Sequence, residues 1–393
     1  VITVPAGTYD QAVKIDNSKM TGDGRSITLR GAQAGIAAQD RTGEESILTG
    51  GLEINGLRKE DSVTVDGFTF NTKGVLVVGW GAPFNTQGSL IIQNNRILDV
   101  ENGTNSAIHL NMDAKEYIKQ IDISHNYIDR VGDEGNAANG IYIVCSSDVV
   151  NITDNTVSNV NHSCVQLASA KFGELNIRNN TLTNWNRDGV AGSGAGGSQG
   201  DGIYLRKTYP QDAAVNVNEN AVVRDEQLPG SKGYAARVAS SSKTDYDLTR
   251  NYWGTSAPET VISGTSYAPV APYYTDEAME ETTSKYIVRL SLYCSGMQLN
   301  GTTERKLSPS LSTLGPVNST ADLQYAWQTS DSSVVALEQR EDGMYAVAKK
   351  LGAATITLTA VDPYTDELFT ATADVKVTNN LVGIALEDTT IVT

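Results

Sequence analysis

Apolar and polar residues alternate in short runs along the first 270 or so positions, and one run recurs in a fixed form. Its pattern is apolar, any residue, apolar, two residues, Asn, any residue, apolar. The copies are Leu90, Ile92, Asn95, Ile97; Ile121, Ile123, Asn126, Ile128; and Val150, Ile152, Asn155, Val157. They continue as Leu175, Ile177, Asn180, Leu182; Val215, Val217, Asn220, Val222; and Tyr246, Leu248, Asn251, Trp253. An earlier copy, Val63, Val65, Phe68, Phe70, carries Phe at the Asn position. Successive asparagines are 31, 29, 25, 40 and 31 residues apart. A second run precedes these across a loop: a small residue, apolar, any, apolar. Its copies begin at Gly74, Ala107, Gly140, Cys164, Gly202 and Ala235. A period of two predicts strands with one face buried, and no segment of this region sustains a period of 3.6.

Short strands repeating every 25–40 residues, with loops of variable length and no helices, predict a solenoid. In such a fold each rung buries its apolar face only by stacking on the next. The Asn column has a physical reason. A side-chain amide offers two donors and an acceptor, so at a bend it can bond the backbone of the neighbouring rung. Asn also tolerates the left-handed backbone of a tight bend, so the column is expected to supply that residue.

On these residues the chain resembles the parallel β-helix repeat proteins of the pectate-lyase-like superfamily. Val4-Pro5-Ala6-Gly7-Thr8-Tyr9 resembles the opening rung of that superfamily, Ile27-Thr28-Leu29-Arg30-Gly31 its second strand, and Asn251-Tyr252-Trp253-Gly254 a closing motif. The resemblance covers residues 1–273. It implies an all-β fold built on a right-handed parallel β-helix, a single-stranded solenoid, and says little about activity.

After Pro272 the Asn column stops. Residues 274–285 are polar and acidic and read as a linker or a single helical turn. Alternating strands follow, with landmarks at Leu299, Gly301, Trp327, Asp331, Val334–Leu337, Gly343, Gly352–Thr357 and Val375–Val377. Strands at this spacing with one buried Trp predict a small β-sandwich. The landmarks resemble the bacterial Ig-like domain, group 2, over 286–379, which implies a C-terminal spacer or adhesion module on a cell surface. Residues 380–393, with Leu381 to Leu386, resemble the first strand of a further Ig-like repeat. The chain is therefore expected to come from a longer bacterial protein, secreted or cell-surface attached, with further Ig-like domains as its neighbours. The opening Val1-Ile2-Thr3-Val4-Pro5 lacks the basic lead and long apolar stretch of a signal peptide and reads as the middle of a strand.

Composition narrows the function. Lys and Arg number 30 against 46 Asp and Glu, a net charge of −16. This argues against a general nucleic-acid binder, which needs clustered cations, and against an anionic membrane surface. Apolar runs such as Val75 to Val78 are far short of the ~18 residues of a spanning helix. Three cysteines cannot form a closed disulfide framework, and their spacing is too wide for a zinc ribbon. Cys164 is expected opposite Gly140, which leaves it ~16 Å from Cys145, too far for a disulfide. His109, His125 and His162 fall in different registers and make no metal site.

Candidate chemistry lies on one sheet. Ile108 and Leu110 point inward, so His109 points outward. The same position in successive rungs gives Leu76, His109, Tyr142, Gln166, Tyr204 and Arg237, and two residues on lie Val78, Asn111, Val144, Ala168, Arg206 and Ala239. At ~4.8 Å per strand, six rungs present a stripe of roughly 25 Å, the length of several sugar units. Aromatic rings stack on sugar faces, while His109, Gln166, Arg206 and Arg237 can bond hydroxyls and carboxylates. Any solvated sheet face carries mixed polar residues, but the absence of Lys, Glu and Asp from the first row argues for a groove.

The loops entering this sheet are acidic: Asp99 and Glu101, Asp129, Asp133 and Glu134, Asp188 and Asp201, Asp225 and Glu226. The longest, 184–200, is glycine-dense and reads as a flap or a disordered loop. No Gly-Lys-Ser/Thr follows, so it is not a phosphate loop. Glycoside hydrolysis needs paired carboxylates, ~6.5–9.5 Å apart for inversion and ~5 Å for retention. Asp133 or Glu134 lies two rungs from Asp201, about 9.6 Å, and Asp188 can approach from the loop. Polysaccharide lysis needs a base and a cation, for which Arg206, Lys207 and Arg237 are placed, with Ca²⁺ held by the acidic loops as the one cofactor to consider. Asp201-Gly202-Ile203 followed by Arg206-Lys207 resembles the acid and basic segments of polygalacturonases, but their adjacent Asp pair and Gly-His-Gly are missing. The expectation is an extracellular protein that binds a polysaccharide or host glycan along the outward face, with cleavage open and hydrolysis ahead of lysis. The competing class is a non-catalytic adhesin, stalk or self-assembling structural protein.

Overall fold

The computed structural model describes residues 1–16, 19–79, 85–101, 106–112, 116–133, 136–168, 171–189, 200–206, 213–229, 232–238, 245–264, 268–315 and 323–379. The chain divides into two compact units, Val1–Thr283 and Ser284–Thr393.

Among the described residues, the first unit is built from three parallel sheets of nine, eight and nine strands, and the chain visits them in turn. One circuit runs Tyr117–Ser124 in sheet 1, Tyr127–Val131 in sheet 2 and Ile141–Val144 in sheet 3; the next runs Ser146–Thr153, Thr156–Val160 and Val165–Leu167. This is the architecture of a parallel β-helix. Register is held without slip across the apolar positions: Ile92 pairs with Ile123, Ile123 with Ile152, Ile152 with Ile177, and Ile177 with Val217. Their side chains, with Ile97, Ile128 and Val157 from sheet 2 and Ile108, Ile141 and Val165 from sheet 3, form the buried interior. Each such aliphatic contributes about 1.5–3 kcal/mol of burial.

The asparagines form a continuous ladder at the corner between sheets 1 and 2. The Oδ1 of Asn126 accepts the backbone N–H of Asn95, and Asn155, Asn180, Asn220 and Asn251 repeat the contact, each at 3.0 Å. Each Nδ2 donates to a sheet 1 carbonyl of the preceding rung, as Asn126 does to Ile92 at 2.9 Å and Asn155 to Ile123 at 2.9 Å. Phe68 ends the ladder: its N–H donates to Asn95 Oδ1 at 3.0 Å, and its ring is buried near Phe70.

The left-handed residue of each bend is not the ladder Asn but the residue before it: Asn94, His125, Asp154, Asn179, Glu219 and Arg250, all at φ between 55° and 57°, with Gly67 in the Phe copy. The ladder amide must point inward and reach two backbones, which leaves the sharp turn to its neighbour. At five of the six bends that neighbour's side chain is at least partly exposed, while Asn94 is buried and donates to Asp66 at 2.7 Å; Glu219 and Arg250 use the position to pair with each other. The stretch 275–284 closes as a hairpin rather than a helical turn. Tyr273–Tyr274 pairs antiparallel with Thr282–Thr283, and the Asp276 carboxylate accepts the Glu281 N–H at 2.9 Å.

The second unit is all β. Met297–Gln298, Leu368–Thr378, Gly352–Val361 and Tyr325–Thr329 form one sheet, Glu304–Lys306, Gly343–Ala348 and Val335–Arg340 a second, and Ile287–Ser291 pairs with Ser310–Thr313. Val335, Ile356 and Val375 centre one apolar cluster and Ile287, Leu358 and Ala360 another. Trp327, expected to be buried, is only partly so and packs against both. The buried Asp362 carboxylate accepts the N–H groups of Tyr286, Ile287, Tyr364 and Thr365, which anchors the first strand of this unit. No helix among the described residues is long and apolar enough to cross a membrane.

Candidate functional site

Sheet 3 carries the outward row in unbroken register: Leu76 beside His109, then Tyr142, Gln166, Tyr204 and Arg237. The row extends backward to Glu53 and Lys14 and forward to Ser263. Glu53 and Lys14 escape the sequence pattern because the first rungs lack the ladder Asn. They form an ion pair at 2.8 Å, so they add no net charge.

The row is not an ordinary solvated face. Gln166 is 0% exposed and His109 only 7%. Both polar atoms of the Gln166 amide and the Nε2 of His109 are buried without a hydrogen-bond partner among the described residues. Such groups cost about 1–3 kcal/mol each when left unmade. The Ser106 N–H donates to His109 Nδ1 at 3.4 Å, so the neutral ring carries its proton on Nε2 as an unused donor. Burial pushes the imidazole down to about 4, so it is neutral at pH 7. Its ring meets Tyr142 edge-on at 5.1 Å. At the other end the Arg237 guanidinium lies over both Tyr204, at 5.2 Å, and Tyr234, at 5.0 Å.

Beneath Arg237 sits Asp201, 0% exposed. Its Oδ2 meets Arg237 Nε at 2.8 Å and its Oδ1 accepts from Nη2 at 3.0 Å. Burial raises the Asp201 carboxyl, while Arg237 and the Tyr234 N–H draw it back. Asp201 is also the last member of a second ladder. Ser106 Oγ accepts the Asn139 N–H at 3.2 Å, Asn139 Oδ1 the Ser163 N–H at 3.1 Å, Ser163 Oγ the Asp201 N–H at 3.0 Å, and Asp201 Oδ1 the Tyr234 N–H at 2.8 Å. Each member stands two residues before the first residue of a sheet 3 strand, such as Ile108, Ile141, Val165 and Ile203. This ladder runs opposite to the Asn ladder, since each side chain accepts from the rung after it. The polar column at that offset was the available signal.

The other acidic candidates gather elsewhere. Asp133 lines a pocket of about 370 Å³ with Asp99, Glu101, Arg130, Gly132 and Arg187. Asp188 pairs with Arg187 at 2.9 Å, and Arg187 also donates to the Gly132 carbonyl at 3.0 Å. Asp133 and Asp188 therefore belong to the Arg187 cluster, and Asp201 to the Arg237 cluster. Arg206 follows the Ile203–Leu205 strand and is half-buried, its N–H bonded to the Leu167 carbonyl at 2.9 Å. Glu134, Lys207, Ala239 and the glycine-rich residues 190–199 lie outside the described residues. Cys145, Cys164 and Cys294 are buried free thiols, and burial pushes all three up. Among the described residues no three His, Cys, Asp or Glu side chains converge as metal ligands.

No known protein family and no curated protein sequence matches this chain.

Proposed function

We propose that the first unit is a right-handed parallel β-helix of the pectate-lyase-like kind and that it binds a polysaccharide or glycan along the outward face of sheet 3. The second unit is read as an Ig-like sandwich serving as a spacer in a secreted or cell-surface protein. The observation that carries the binding reading is Gln166. Its amide lies between Tyr142 and Tyr204 in register, buried, with neither polar atom bonded. Asn55 and Asn161 also leave a buried amide oxygen unbonded, but Gln166 leaves both its oxygen and its nitrogen so, in the middle of a strand. A sugar presents hydroxyls that are both donors and acceptors and an apolar ring face. Tyr142 and Tyr204, both partly exposed, answer the second, and Gln166 and His109 Nε2 answer the first when the sugar takes the place of what buries them.

Binding is better supported than cleavage. Both oxygens of Asp201 are engaged by Arg237 and one also by the Tyr234 N–H, which makes Asp201 a positioning residue rather than an acid facing substrate. The deciding experiment is a panel of diverse glycans screened for retention and, in the same reactions, for new reducing ends and unsaturated products. Retention without either product is expected. Retention of no glycan would favour the stalk reading, and a bound sugar on sheet 1 or 2 would refute the placement.

A further inference from the structure

We infer that this face selects glycans without charge and that Asp201 sets the selectivity by neutralising Arg237; the inference rests on the glycan-binding reading above. The row from Lys14 to Ser263 contains two cations and one anion, and Asp201 supplies the second anion from below. Lys14 is paired with Glu53 at 2.8 Å and Arg237 with Asp201 at 2.8 Å. His109, Tyr142, Gln166 and Tyr204 present only neutral donors, acceptors and rings. A uronate placed on the row would find the Arg237 guanidinium already paired with a carboxylate and lying over two phenol rings. Taking Arg237 from Asp201 would leave a fully buried carboxylate unpaired, a strongly unfavourable exchange. A neutral sugar asks for no such exchange. Its hydroxyls can use the outer edge of Arg237 together with the partly exposed hydroxyls of Tyr142 and Tyr204. Arg206 stands two residues beyond Tyr204 with its charge felt at Tyr142, and among the described residues it is the cation of this face through which a uronate would have to bind.

Asp201 holds two roles that substitution can separate. Its Oδ1 accepts the Tyr234 N–H as a ladder member, and its charge balances Arg237. Asp201→Asn keeps a carbonyl oxygen for Tyr234 and removes the charge. The experiment measures retention of matched oligosaccharides, the gluco-, galacto- and manno- series against their uronic-acid counterparts, by wild type, Asp201→Asn and the double variant Asp201→Asn/Arg237→Gln, with circular dichroism to confirm folding. Wild type is expected to prefer the neutral member by about tenfold or more, Asp201→Asn to shift that ratio about tenfold toward the uronate, and the double variant to restore the neutral preference. A purely structural Asp201 would change stability and leave the ratio unmoved. Uronate preference in wild type, or an unmoved ratio in folded Asp201→Asn, overturns the inference while leaving glycan binding intact. Retention of neither class overturns the inference and the binding reading together. If Asp201→Asn does not fold, the wild-type ratio alone decides.

Discussion

The backbone N–H of Asn95 donates to the side-chain Oδ1 of Asn126, one rung away, at 3.0 Å. The same oxygen accepts Asn95 Nδ2 at 3.1 Å, so one carbonyl ties both the backbone and the amide of its neighbour. The corner of the solenoid is thus a chain of amides in which every member depends on the next.

Removing a central member should be costly. Asn155→Ala strips the acceptor from the Asn126 N–H and the donor from the Ile123 carbonyl, both buried. The expected loss is about 3 kcal/mol in urea unfolding. Asn155→Asp keeps the acceptor but loses both donors and buries a charge, so it should not rescue stability.

The second ladder predicts a smaller effect. Ser163→Ala removes the acceptor of the Asp201 N–H, and the expected loss is about 1–2 kcal/mol by the same measurement. A loss below experimental error would mean that this column does not hold the strands of sheet 3 in place.

His109 predicts an acid-sensitive first unit. Its folded value is about 4, below the ~6.5 of an unfolded histidine, so the unfolded chain binds the extra proton between those values. Its contribution is fully present above pH ~6.5 and is lost as pH falls toward 4, about 3 kcal/mol in all. In His109→Gln that part of the pH dependence should vanish, as read from unfolding midpoints across the range.

Asp362 predicts a separate acid transition in the second unit. Burial alone would raise its carboxyl, but the N–H groups of Ile287, Tyr364, Tyr286 and Thr365 outweigh burial and hold it below the ordinary carboxylate value. Stability from a depressed carboxyl is present above the unfolded value, ~3.9, and is lost as pH falls through the folded one. Asp362→Asn should be less stable at neutral pH and show a flatter acid limb.

The strands, their order and the outward row were legible because a period of two, repeated with an Asn landmark, fixes both face and register. His109, Tyr142, Gln166, Tyr204 and Arg237 could be aligned from sequence for that reason. Their burial could not, since alternation gives direction and not what surrounds a side chain. The left-handed bend residue was hidden because its type varies from Asn94 to Arg250, set by side-chain partners rather than by the bend. The Ser106–Asn139–Ser163–Asp201 column was missed because loops of unequal length precede it, and it shares an offset but no residue type. Lys14 and Glu53 were missed because no Asn marks their rungs.

The central claim is that Gln166 is idle in the free protein because a sugar completes it. The most direct test is the affinity of Gln166→Leu for a glycan that wild type retains. Leucine removes two unbonded buried polar atoms at similar volume, so the variant should fold at least as stably as wild type and bind at least about tenfold more weakly. Wild-type affinity in the folded variant would contradict the account.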